Sequence, residues 1–125
     1  EGRTYPWGME PPGTGVCWNR AFMGGPCAVS SSSFAMDRTP SGINHIGGNV
    51  GEYCADRYAE YSDTMCWGGV SRRDPICFLD LALADTSLRG GSISSPLPGM
   101  KGASRNSTNP AASQGEVGMR CVRSM

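Results

Sequence analysis

The sequence predicts a loop-rich, disulfide-stapled fold with little regular structure, and three observations carry that prediction. Glycine and proline together make about a fifth of the chain, against ~12% in an average globular domain. Six cysteines occur in 125 residues, an even number with no Cys-x-x-Cys pair, which favours disulfides over zinc or dithiol chemistry. The longest apolar-leaning stretch, Ile76 to Ala84, is interrupted by Asp80 and is far too short to span a bilayer. The length suits one domain, residues 1–125, with a single modest core.

Charge narrows the partners. Eleven basic and 11 acidic residues cancel, so neither nucleic acid nor an anionic membrane surface is expected. His45 is the one histidine, a further argument against zinc. Disulfides imply an extracytoplasmic setting: periplasm, cell surface or medium. The chain starts at Glu1 with no charged or apolar leader region, so we expect it to be truncated or processed at its N-terminus. Many pairings are open to six cysteines. The favoured set is Cys17–Cys27 and Cys66–Cys77, which close short local loops, with Cys54–Cys121 tying the centre of the chain to its end. Closing that long third loop should stabilise most, by about 4 kcal/mol.

In chain order, residues 1–12 read as an extended lead-in to a Gly/Pro turn, with Tyr5 and Trp7 facing a common core around Pro6. Residues 13–27 form a loop clipped by its own cysteines, with Trp18, Phe22 and Met23 packing inward. Ser30 to Ser33 is a polar run too short to separate domains. The centre is Thr39 to Asp56, TPSGINHIGGNVGEYCAD. Gly47 and Gly48 permit close backbone approach, Asn49 suits a tight turn, and Val50, Glu52, Cys54 and Asp56 then enter a short ordered element. Residues 57–63 are polar and surface-like, and Cys66-Trp67-Gly68-Gly69 reads as a second turn. Pro75 to Leu83 fits a strand or a short helix, and periodicity does not decide between them. Ser87 to Ile93 reads as a short strand broken by Gly90-Gly91, Ser94 to Gln114 as irregular chain, and Glu116 to Arg123 as a terminal strand. Asn106-Ser107-Thr108 is a formal glycosylation sequon, whose ordinary meaning is an exposed loop.

Four stretches in register resemble one family. They are Arg3-Thr4-Tyr5-Pro6-Trp7-Gly8; Arg38-Thr39-Pro40-Ser41-Gly42 leading into Gly48-Asn49-Val50-Gly51-Glu52-Tyr53; Leu88-Arg89-Gly90-Gly91-Ser92; and Val117-Gly118-Met119-Arg120-Cys121. Their order and spacing are similar to the sulfatase-modifying-factor family, the formylglycine-generating-enzyme fold related to C-type lectins. The resemblance covers essentially the whole chain and matches the family's C-terminal core. It implies an α+β, loop-rich C-type-lectin-like fold with short antiparallel strands. Some family members also carry a cysteine pair similar to Cys17 and Cys27.

Two departures from the family pattern bear on function. Enzymes of the family oxidise a substrate cysteine with a copper-binding cysteine pair between RGGS and the final Gly-x-Arg. Here no cysteine lies between Cys77 and Cys121, and Ser94 and Ser95 stand near the first expected position. A hydroxyl does not replace a thiolate for a soft metal, so no copper is expected and the pattern weighs against an enzyme. The family also binds calcium at the central motif. The resemblance assigns backbone carbonyls of Gly48 and Val50 and the carboxylate of Glu52 to such a site, with His45 where an oxygen ligand belongs. Gly51 replaces the first aromatic residue of that motif.

The reading that results is a non-catalytic binding or structural domain. Its loop surface would be carried by Ser94, Ser95, Lys101, Arg105 and Asn106, in the interval that borders the substrate groove of the enzymes. The expected partner is a protein or glycan, or a larger extracellular or membrane-associated assembly, with no nucleic acid and no membrane insertion. The alternative is a copper-dependent formylglycine-generating-type oxidoreductase with an atypical active site.

Overall fold

A four-strand sheet of short strands, in the order β3-β2-β1-β4, carries an otherwise irregular chain. The computed structural model describes residues 2–20, 25–28, 30, 32–68, 76–77, 85–112 and 114–121. Its strands are β1 (Gly51–Arg57), β2 (Thr86–Arg89), β3 (Asn106–Thr108) and β4 (Val117–Gly118). β1 pairs antiparallel with β2, setting Glu52 opposite Arg89 and Tyr53 opposite Leu88, with an irregularity before Arg57 meets Thr86. β2 pairs antiparallel with β3. β4 runs parallel to β1, joining Gly51 to Val117 and Glu52 to Gly118. The sheet is therefore mixed: its β1, β2 and β3 are the short antiparallel strands expected, and β4 joins them in parallel.

The central stretch anchors its neighbours as its turn residues require. Asn49 adopts φ 64° and Gly48 φ 125°, and a Cβ on Gly48 would lie 2.8 Å from the carbonyl oxygen of Cys17. The Asn49 N–H donates to that same Cys17 carbonyl (2.8 Å), and its own carbonyl accepts from Ile93 N (3.0 Å). Its buried side-chain Oδ1 accepts from Cys27 N at 2.6 Å. One asparagine thus joins the clipped loop to the chain that follows β2. Gly90 ends β2 at φ 91°, and a Cβ there would lie 2.7 Å from the Ile46 carbonyl oxygen. That position needs glycine for both conformation and space.

Two small apolar clusters form the core. Tyr5, Val16 and Met100 are buried together, with Trp7, Trp18 and Met36 packed against them. Tyr5 and Trp7 stack with ring centroids 5.4 Å apart, so the two rings around Pro6 share one core. The second cluster joins Ala59, Cys66 and Cys77, with Trp67 alongside. It rests on α1 (Thr64–Trp67), a single helical turn. Asp63 caps α1 by accepting from Met65 N and Cys66 N, and Gly68 closes it in the left-handed conformation. This turn of helix replaces the plain turn expected at Cys66-Trp67-Gly68.

Residues 94–114 are more ordered than their composition suggests. Pro96 and Pro98 preset φ for the 3-10 turn Leu97–Met100, which drives Met100 fully into the core. The sequon is edge strand β3 rather than loop, because its backbone finds β2 as a partner. The terminal strand is shorter than expected, Val117–Gly118, because Arg120 turns off the sheet edge to other partners. Phe22, Met23 and most of Pro75 to Leu83 lie outside the described residues.

The structure closes Cys17–Cys27 and Cys66–Cys77, with Cα atoms 6.3 and 5.0 Å apart. The third expected pairing needs correction: Cys54 and Cys121 are free thiols. β4 pairs with β1 only at Gly51 and Glu52, so the ladder ends before it could bring Cys121 beside Cys54. Two disulfides point to an oxidising, extracytoplasmic setting. Among the described residues no helix is long and apolar enough to cross a membrane.

Candidate functional site

All four strands contribute to one cavity of about 340 Å³ on the sheet. Gly51 of β1, Leu88 of β2, Asn106 of β3 and Val117 of β4 line it, and Ser92, Ser95, Gln114 and Glu116 close its polar side. A Cβ on Gly51 would lie 2.9 Å from Leu88 Cδ2. A bulky residue at this position would displace Leu88 toward the cavity, so the glycine keeps this part of the sheet face open.

Glu116 organises the polar side. The hydroxyls of Ser92 and Ser94 both donate to its Oε2, the latter at 2.6 Å. These donors hold its carboxyl below the ordinary glutamate value, because hydrogen bonds to the charged form favour it. Its backbone carbonyl accepts from Gly51 N at 2.8 Å, which fixes it to the start of β1. Ser95 Oγ accepts from Ser92 N at 2.8 Å, and Gln114 Nε2 donates to Thr108 Oγ1 at 2.6 Å. The rim is thus built from residues whose rotamers are held by their neighbours.

The five expected surface residues separate in space. Ser95 and Asn106 line this cavity, and Ser94 joins it through Glu116. Lys101 lines a different pocket. Arg105 points inward, which corrects its place on a binding surface: only 4% of its side chain is exposed. Its guanidinium lies over Tyr61, Trp67 and Tyr58, at 4.6, 5.0 and 5.5 Å from the ring centroids. It also meets Asp56 Oδ2 at 3.6 Å and donates to Ser87 Oγ at 2.9 Å. Aromatic faces attract a guanidinium, so Arg105 cements β2 to the α1 region. Glu116 and Gln114 are not among the expected site residues; the sequence presents Glu116 only as the start of a terminal strand. The one available signal was a carboxylate immediately before the final Val-Gly-x-Arg.

In the central motif Glu52 pairs with Arg120. Arg120 Nε donates to both carboxylate oxygens of Glu52 at 3.0 and 3.1 Å, and Nη2 reaches Oε1 at 2.6 Å. Its Nη1 and Nη2 also donate to the carbonyls of Asn44 and His45 at 3.0 and 2.8 Å. Glu52 in turn raises the pKa of Arg120 above its ordinary value. Arg120 thus occupies the Glu52 carboxylate that the calcium expectation assigns, together with the carbonyls of Asn44 and His45, which stand beside the expected Gly48 and Val50 donors. Among the described residues no group of three acidic, histidine or cysteine side chains forms a metal cluster. The wall of the sheet-face cavity offers hydroxyls, amides and a carboxylate, hard donors rather than the soft thiolates that suit copper(I).

Beneath the same turn, Asp37 is fully buried. Its oxygens accept from Gly47 N at 3.1 and 3.3 Å, and its backbone carbonyl accepts from His45 N at 2.8 Å. Burial pushes its carboxyl from 3.8 up to about 6, against the opposing pull of these amides and of His45 and Arg120.

The family described as sulfatase-modifying factor enzyme 1-like domain matches residues 1–125. No curated protein matches the chain.

Proposed function

Because the chain belongs to the sulfatase-modifying factor enzyme 1-like family along its whole length, we propose that it is a non-catalytic, extracytoplasmic binding domain of that fold. Its ligand is an extended peptide segment of a partner protein, held in the sheet-face cavity. The observation that carries this reading is the chemistry of the wall. Ser92, Ser95, Asn106, Gln114 and Glu116 supply hydroxyl, amide and carboxylate groups, while among the described residues no thiol and no aromatic ring lines it. Serine, asparagine and glutamine side chains make adaptable hydrogen bonds to a partner's polar groups, and Glu116 adds a fixed negative charge. The missing aromatic platform favours peptide amides over a sugar ring. The free thiols of Cys54 and Cys121 stand outside this wall, which supports the non-catalytic reading.

Arrays of immobilised peptides and glycans test this directly. The expected result is selective retention on peptides, reduced at least about tenfold by the Asn106→Ala/Gln114→Ala double variant, since each lost hydrogen bond costs about 1 kcal/mol. Retention on glycans alone, or peptide retention indifferent to that variant, would overturn it.

A further inference from the structure

A second cavity, of about 390 Å³, lies apart from the sheet-face cavity. The two divide β2 and its end between them: Leu88, Gly91 and Ser92 line the first, Arg89 and Gly90 the second. This second cavity gathers the side chains of Arg3, Arg89 and Lys101, from three separate segments of a chain with zero net charge. Among the described residues no acidic side chain lines it. Neither Arg3 nor Lys101 has an ion-pair partner among them. Arg89 is held in place by donating from Nη1 to the Gly102 carbonyl at 3.2 Å and from Nη2 to the Tyr61 hydroxyl at 3.1 Å. A guanidinium carries five N–H donors, so N–H groups remain for a ligand. Gly102 is itself tied to the lead-in segment through its N–H to the Thr4 carbonyl at 2.9 Å. Tyr5, Pro6 and Ile46 add apolar surface to the same lining.

Three like charges converging on one concavity repel one another unless an anion joins them, and a guanidinium fork matches an oxyanion geometrically. We propose that this cavity binds a small anionic ligand. Arg3, Arg89 and Lys101 receive its oxyanion head, and Tyr5, Pro6 and Ile46 receive an apolar body. The site is independent of the peptide-binding cavity.

The test is a titration with phenyl phosphate followed by backbone amide NMR, with inorganic phosphate and phenol as the two control ligands. Saturable shifts are expected at Gly90 and Gly102 but not at Gly115 of the other cavity. Inorganic phosphate should bind more weakly and phenol not measurably. Arg3 and Lys101 are exposed, so the Arg3→Ala/Lys101→Ala variant should fold, and its affinity should fall about tenfold or more. In the unaltered protein, affinity should also drop as salt rises from ~0.05 to ~0.5 M, because screening shortens the reach of the three charges. Shifts that do not saturate, affinity unchanged in the variant, or indifference to salt would overturn the site. Inorganic phosphate binding as tightly as phenyl phosphate would overturn the apolar half of the proposal.

Discussion

Replacing Arg120 by alanine should loosen the central turn from the C-terminal segment. The residue joins Glu52 and the carbonyls of Asn44 and His45 in one fork, and its side chain and that of Glu52 are 34% and 19% exposed. A fully exposed ion pair is worth about 0–1 kcal/mol, whereas removing one partner of a buried pair costs about 3–5 kcal/mol. The partial exposure of both groups places Arg120→Ala between these limits, at about 2–3 kcal/mol. At roughly 4 °C per kcal/mol for a domain of this size, the melting temperature should fall by about 10 °C. Arg120→Lys keeps the charge but loses the fork, so it should recover no more than about half of that. Urea denaturation of Arg120→Ala, Glu52→Gln and the double variant would then give a coupling of about 1–2 kcal/mol. A loss of less than about 0.5 kcal/mol in Arg120→Ala would refute this role. So would a rise in the melting temperature of the unaltered protein on adding calcium, since Glu52 would then be available to a metal.

Further outcomes follow from Asp37 and from the cysteines. The Asp37 carboxyl, raised to about 6, binds its proton more tightly folded than unfolded. Its stabilising contribution is therefore full below pH about 4 and lost by about 3 kcal/mol as pH rises through about 6. Asp37→Asn should flatten that slope, and parallel stability–pH curves for variant and parent would refute it. Cys66→Ser/Cys77→Ser should cost about 2–4 kcal/mol, while Cys54→Ser/Cys121→Ser should leave the melting temperature almost unchanged. Alkylation without reductant, read by intact mass, should label exposed Cys121 first. Half-buried Cys54 should follow slowly, because burial pushes its thiol pKa up; no labelling at all would mean that the two are bridged.

How far the sequence could be read depended on the range of each interaction. The turn at Asn49, the aromatic pair around Pro6 and the break in β2 at Gly90-Gly91 rest on local backbone demands, which neighbouring residues reveal. Arg105 shows where that stops. An arginine in a polar, proline-rich stretch reads as surface, yet three aromatic rings from two other segments and Asp56 draw it inward. Glu116 is similar: the first residue of an apparent terminal strand becomes the organiser of a cavity because Ser92 and Ser94 return to it across the fold.

The sequence by itself determined the family, the loop-rich class, the oxidising setting and the two short bridges. The reason is that turn chemistry and loops closed over 10 or 11 residues are local. The tertiary structure alone decided that β4 runs parallel to β1, that Cys54 and Cys121 stay unpaired, and that Glu52 takes Arg120, 68 residues away, as its cation. Each of these is a choice among competing long-range partners, and it depends on which groups the packed chain brings within reach.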